Sequence, residues 1–163
     1  MATGKSEVGR RVARRLGRPF VDLDGLVEAA AGKKVAEIFA AEGEPTFRAL
    51  ERAAVEEACR VPDAVVATGG GTLLDPENRR RLAAAGPIVC LNAPPEEILR
   101  RIGDAATRPL LAAGNGSSDR LARIRALLAE RAPTYALATH AVETGGLQVE
   151  EVVDRVCALV AGR

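Results

Sequence analysis

The sequence predicts an α/β fold, a three-layer αβα sandwich in which helices cover both faces of a parallel sheet. Short apolar, β-branched runs alternate with helical stripes along the whole chain, the pattern of strands buried on both faces. Glycine-rich turns close several of those runs. The chain also starts with Met1-Ala2-Thr3-Gly4-Lys5-Ser6, which reads as the end of a phosphate-binding loop, G-x-x-x-x-G-K-[ST].

The first helix follows that loop directly. Val8, Val12 and Leu16 recur every four residues, and Gly17 is a C-terminal stop. Residues 19–24 (PFVDLD) read as a short strand ending in two acids. Residues 26–31 are helical up to Gly32. Val35, Ile38 and Phe39 form a further helical piece that Gly43 stops. Pro45 starts another, striped by Phe47, Leu50, Ala54 and Ala58. Residues 64–68 (AVVAT) are a strand closed by Gly69-Gly70-Gly71. A basic helix over 76–85 leads to a strand over 88–91, and a helix follows over 95–102. Residues 112–118, rich in glycine and serine, read as mobile and exposed. A long helix over 119–132, a short strand over 141–143 and a helix over 149–160 close the chain.

Four strands are visible, with no internal repeat. A doubly wound sheet whose first loop grips phosphate places a strand ahead of that loop. The first glycine of the loop motif would also precede Met1. The sequence therefore suggests something missing at the front, through a start assigned too late or a truncated copy.

At 163 residues the chain has the size of one domain, residues 1–163. Its 23 basic and 22 acidic side chains leave a net charge of +1, which argues against a dedicated nucleic-acid or membrane-surface binder. The aromatics are Phe20, Phe39, Phe47 and Tyr135, too few for a single-strand stacking platform. Cys59, Cys90 and Cys157 form no metal-ligand spacing and suit a reducing, cytoplasmic setting. The single histidine, His140, reads as a surface or strand-edge residue.

Several residue groups carry chemistry. In a phosphate loop, backbone N–H groups cradle phosphates, Lys5 reaches the β/γ oxygens and Ser6 sits on Mg2+. Gly4-Lys5-Ser6 alone is equally at home at the start of an ordinary helix. Asp22 and Asp24, two apart on a strand, would point to the same face. One could hold Mg2+ and the other accept a substrate proton, or one could simply cap the next helix. The Gly69–Gly71 triplet after a strand favours close backbone approach to a ligand. Arg48, Arg108 and Arg131 have the planar fork that suits carboxylate or phosphate. Arg108 opens the Gly/Ser-rich segment, where it could act as a lid arginine.

Taken in order, these blocks resemble shikimate kinase from Met1 to about Val160. They are residues 1–6, Val21-Asp22-Leu23-Asp24, IFAAEGE at 38–44, Phe47-Arg48, Glu51, Gly69–Gly71, RPLL at 108–111 and RAPTY at 131–135. Other small P-loop kinases, such as gluconate kinase, lack this combination of glycine triplet and RPLL.

The resemblance implies a nucleoside-monophosphate-kinase-like fold with a five-stranded parallel sheet and a lid over about 107–120. It implies transfer of the ATP γ-phosphoryl group to the 3-hydroxyl of shikimate. A monomer is expected, with no partner beyond the small-molecule substrate. Ala2, Thr3, Gly4, Lys5, Ser6 and Glu7 would form the ATP side with Arg101, near adenine, and Arg108, on the phosphates. Ser6 and Asp22 would hold Mg2+. Asp24 would bind the shikimate hydroxyls and deprotonate the attacking one. Arg48 and Arg131 would clamp the carboxylate, with Gly69, Gly70 and Gly71 along the ring. Glu7 departs from the family's Ser or Thr, and places a carboxylate where an α-phosphate contact is expected. A silent relative, or a kinase for another polyol acid such as gluconate, are the alternatives.

Overall fold

The computed structural model describes residues 3–102 and 117–160. Helix α1 (Lys5–Leu16) buries Val8, Val12 and Ala13, and ends at Gly17 in the left-handed region, φ +64°. Strand β1 (Phe20–Asp22) runs straight into α2 (Leu23–Ala31). Asp24 therefore lies in the first turn of a helix, not on the strand. Asp22 is the N-cap, its Oδ1 accepting from the Asp24 N–H at 3.2 Å. The expectation that both carboxylates share a strand face is corrected: an Asp side chain that can satisfy an open helix N–H starts the helix at once.

Helix α3 (Val35–Ala58) joins the two expected helical pieces across a kink at Gly43, φ +79° and ψ 173°. Strand β2 (Val65–Ala67) and a 3₁₀ turn over Thr72–Leu74 lead to α4 (Pro76–Ala85), capped by Asp75 through the Glu77 and Asn78 N–H groups. Strand β3 (Val89–Asn92), α5 (Pro95–Ile102), α6 (Ser117–Tyr135), β4 (His140–Glu143) and α7 (Val149–Val160) complete the order. Helix α6 begins inside the segment read as mobile and continues past Pro133. Pro133 lacks an N–H, but the Ala136 N–H still reaches the Ala132 carbonyl at 2.9 Å, so the last turn holds.

The four strands form two parallel pairs. β1 lies beside β2 with Phe20 opposite Val65, and β3 beside β4 with Val89 opposite His140. Among the described residues no ladder joins β2 to β3. Alternate residues of β2 serve two cores, as the period of a strand requires. Val66 packs on the cluster of α2, α3 and α4, centred on Leu23, Ile38 and Val55. Val65 packs on the cluster of α1 and α7, centred on Val12 and Val153. The layered α/β architecture stands, with its sheet parted into two halves. A third cluster, Ile98, Ile124 and Leu127, fixes α6 against α5. Among the described residues no helix is long and apolar enough to cross a membrane.

Candidate active site

The carboxyl end of β1, the first turn of α2, the middle of α3 and the turn after β2 converge on one cluster. Its centre is Glu51, only 2% exposed. Glu51 accepts from Arg48 Nη1 at 2.7 Å and from Thr72 Oγ1 at 2.7 Å. A buried carboxylate needs such partners. Arg48 is further held by Glu44, through Nε at 3.1 Å and Nη2 at 2.8 Å. Its guanidinium stands 5.3 Å from the centre of the Phe47 ring, and Phe47 in turn packs on Phe39 with centroids 4.5 Å apart.

The glycine triplet lies against this cluster. A methyl group on Gly71 would stand 2.8 Å from Arg48 Nη2. One on Gly69 would stand 3.1 Å from Thr72 Oγ1, 3.3 Å from Glu51 Oε1 and 3.6 Å from Asp24 Oδ1. A side chain at Gly69 or Gly71 would therefore have to displace the cluster. Gly70 is tied down differently: its carbonyl accepts from the Tyr135 hydroxyl at 2.6 Å. Arg131, one helical turn before Tyr135, is 5% exposed, and its Nε has no hydrogen-bond partner among the described residues. A buried guanidinium N–H without a partner is costly unless a ligand completes it.

Asp24 keeps contact with solvent, yet its carboxyl is raised above its ordinary value. Desolvation is the main cause, and the neighbouring charges of Asp22 and Glu51 add to it, while Lys5 opposes them. Asp24 thus feels the opposing charges of Lys5 and Glu51. A carboxylate whose proton affinity is raised is a better proton acceptor.

On the other flank, Gly4 adopts φ +79° and opens α1. The Thr3 hydroxyl is buried and unpartnered among the described residues. Ser6 is exposed at the same helix start, where N–H groups and the helix dipole suit phosphate. Glu7 is turned along the helix to Arg11 at 2.6 Å and Arg10 at 3.7 Å. Its charge is therefore compensated within α1.

Arg101 is held by Glu97 at 3.0 Å, by Thr144 Oγ1 at 3.0 Å and by the Thr144 carbonyl at 2.9 Å. This anchors it to the loop after β4. Ala2 and Arg108, with most of the expected lid, lie outside the described residues. Among the described residues no three His, Cys, Asp or Glu side chains cluster to hold a metal alone. Ser6 and Asp22 carry oxygen donors of the hard kind that Mg2+ prefers, and Asp22 Oδ1 also accepts from the Asp24 N–H.

Glu51, Thr72, Tyr135 and Thr144 are the partners that residue-by-residue reading did not assign. Glu51 stood in a recognised block without a role. Its burial is the signal, and only tertiary packing reveals it.

A helix opened by Gly4-Lys5-Ser6, an Asp24 that feels the Lys5 charge and an Arg48–Glu51–Thr72 cluster against the glycine turn are the arrangement of a small-molecule phosphotransferase of the α/β class. The family profile described as shikimate kinase matches residues 1–161. The shikimate kinase of Geobacter metallireducens is 45% identical over 163 residues, 100% of this chain and 89% of that protein. That of Caldanaerobacter subterraneus is 47% identical over 156 residues, 96% of this chain and 89% of the relative. The solved shikimate kinase of Acinetobacter baumannii, in complex with shikimate, superposes with a TM-score of 0.90 at 34% identity, covering 98% of this chain and 87% of that one. A gluconokinase from Sinorhizobium meliloti, TM-score 0.58 at 20% identity, shares the fold alone. The chain belongs to the shikimate kinase family, whose members are ATP-dependent kinases.

Proposed function

We propose that Asp24, Arg48, Arg131 and the Gly69–Gly71 turn bind shikimate in this chain, and that Asp24 takes the proton of its 3-hydroxyl. The observation that carries the reading is the position of Asp24, which feels Lys5 on the nucleotide side and Glu51 on the acceptor side. The freed oxygen forms a bond to the γ-phosphorus, the bond from that phosphorus to the β-phosphate oxygen breaks, and ADP leaves. The proton passes from Asp24 to solvent.

Thr3, Gly4, Lys5 and Ser6 hold the phosphates, and Arg101, pinned by Thr144, borders the base. Ser6 and Asp22 would hold Mg2+, which when bound would supply positive charge to the phosphate oxygens. Arg108, assigned by the resemblance, adds to that charge from a lid over about 107–120 of one domain. Such transfer depends on positioning and charge neutralisation more than on covalent chemistry. The chain acts as a monomer in the cytoplasm, consistent with its free cysteines.

Arg131→Ala tests the acceptor side. Removing a charge-assisted contact of about 1.5–3 kcal/mol raises the KM for shikimate by about 10–100-fold, with the KM for ATP little changed. An unchanged shikimate KM contradicts the clamp.

A further inference from the structure

Tyr135 has no part in the reaction described above, yet its hydroxyl meets two pieces of the acceptor site. It donates to the Gly70 carbonyl at 2.6 Å, although 65 residues separate the two in sequence. The Arg131 guanidinium hydrogen-bonds to the same hydroxyl, as residues four apart on one helix face can. The glycine turn itself secures only two of its three carbonyls. That of Gly69 accepts from the Thr72 N–H at 3.4 Å, and that of Gly71 from the Leu74 N–H at 3.0 Å. Between them, the Gly70 carbonyl takes its bond from outside the turn, from Tyr135. Glycine has the widest backbone freedom of any residue, so without that bond the Gly70–Gly71 peptide is the loosest point of the turn. A peptide unit is planar, and holding its carbonyl also directs the Gly71 N–H to the opposite side.

At the other end of the link, Arg131 is buried and its Nε has no partner among the described residues. Tyr135 thus holds part of the guanidinium fork and leaves Nε for a ligand. A long side chain held in this way has less rotamer freedom to lose when the ligand arrives. Burial raises the Tyr135 hydroxyl above its ordinary value, while the Arg131 charge pulls it down. The neutral phenol can accept from Arg131 and donate to Gly70 at once. We propose that Tyr135 is a positioning residue of the acceptor site, its hydroxyl locking Arg131 and the Gly70–Gly71 peptide into one arrangement. The inference rests on the reading that Arg131 and the glycine turn bind shikimate. Tyr135 acts through those two groups and takes no part in the proton transfer at Asp24. Preorganisation of this kind lowers the ordering cost of binding, and so shows chiefly in the acceptor KM.

Tyr135 is the single tyrosine, and the chain has no tryptophan, so the tyrosine band in the near ultraviolet reports on this hydroxyl alone. Shikimate is titrated into the parent with the binding heat and that band followed together. The kinetics and thermal melts of Tyr135→Phe are then compared with those of the parent. The band shifts in proportion to bound shikimate, because the carboxylate offsets the Arg131 charge beside the hydroxyl. Tyr135→Phe keeps the ring and raises the KM for shikimate about 5–20-fold. Its KM for ATP stays within about twofold, and its thermal midpoint within about 4 °C. Equal changes in both KM values, or none, overturn the proposal. Binding heat with an unmoved tyrosine band overturns it as well, even if the variant fails to fold. No binding heat in the parent instead overturns the acceptor reading, and this one with it.

Discussion

At Asp24 the surroundings oppose the charge that proton acceptance requires. Desolvation, then Asp22 and Glu51, hold its carboxyl above the ordinary value of 3.8. At pH above the raised value the ionised group is disfavoured in the folded state, and stability is lower for it. Below about 3.8 it is protonated in folded and unfolded chains alike, and the effect vanishes. Asp24→Asn therefore melts at higher temperature than the parent at pH 7, and the difference shrinks as the pH falls towards 3.8. Thermal melts across that range check it, and a variant that melts lower at pH 7 contradicts the electrostatic account. Gly71 makes the complementary case. A methyl group there meets the end of the flexible Arg48 side chain at 2.8 Å, so the fold can yield while the pocket cannot. Gly71→Ala leaves the thermal midpoint within about 2 °C and raises the shikimate KM about tenfold or more. A large loss of stability with an unchanged KM speaks against that reading. The triplet itself was legible as a place of close approach. What it approaches was not, because the Arg48–Glu51–Thr72 network is formed by residues far apart in sequence.

Element boundaries were legible where a hydrophobic period met a stop residue. Helix α1 ends at Gly17 and α7 spans the expected residues, because a 3.6-residue stripe and a left-handed glycine or strand turn mark them independently. The join of β1 and α2 was not legible. A three-residue strand gives no alternation to read, and the Asp22 cap converts the next residue into helix. Helix α3 carries Arg48 and Glu51 on the far side of the Gly43 kink, so the kink aims both at the glycine turn. At φ +79° and ψ 173°, Gly43 occupies a region that other residues rarely adopt. Gly43→Ala destabilises by about 1–3 kcal/mol in denaturant unfolding. Its shikimate KM also rises, because the straightened helix withdraws Arg48. A variant as stable as the parent contradicts the strain argument.

Across the whole molecule, the site joins two halves that share few elements. Strands β1 and β2 with α2 and α3 form one half and β3 and β4 with α5 and α6 the other, and α1 spans both, packing on Val65 of β2 and on Val89, Leu91 and Val142 of β3 and β4. Exposed ion pairs from Arg11 and Arg15 to Glu150 and Asp154 line the α1–α7 contact. Pairs of this kind add little to stability, so the apolar cluster of Val8, Val12, Val153 and Val156 holds that seam. The α/β class was legible from composition and alternation. The parting of the strands into two pairs was not, because hydrophobic pattern defines which faces are buried and says nothing of which edges pair. Asp24 stands where the halves meet, and its role is the central claim. The most direct test is shikimate-dependent ADP release by the parent and by Asp24→Asn, with nucleotide binding followed in both. The account predicts turnover that saturates with shikimate in the parent and falls by about 10²–10⁴ in the variant, with nucleotide affinity within about twofold because Asp24 serves the acceptor. ADP release indifferent to shikimate, or an Asp24→Asn variant as active as the parent, would contradict it.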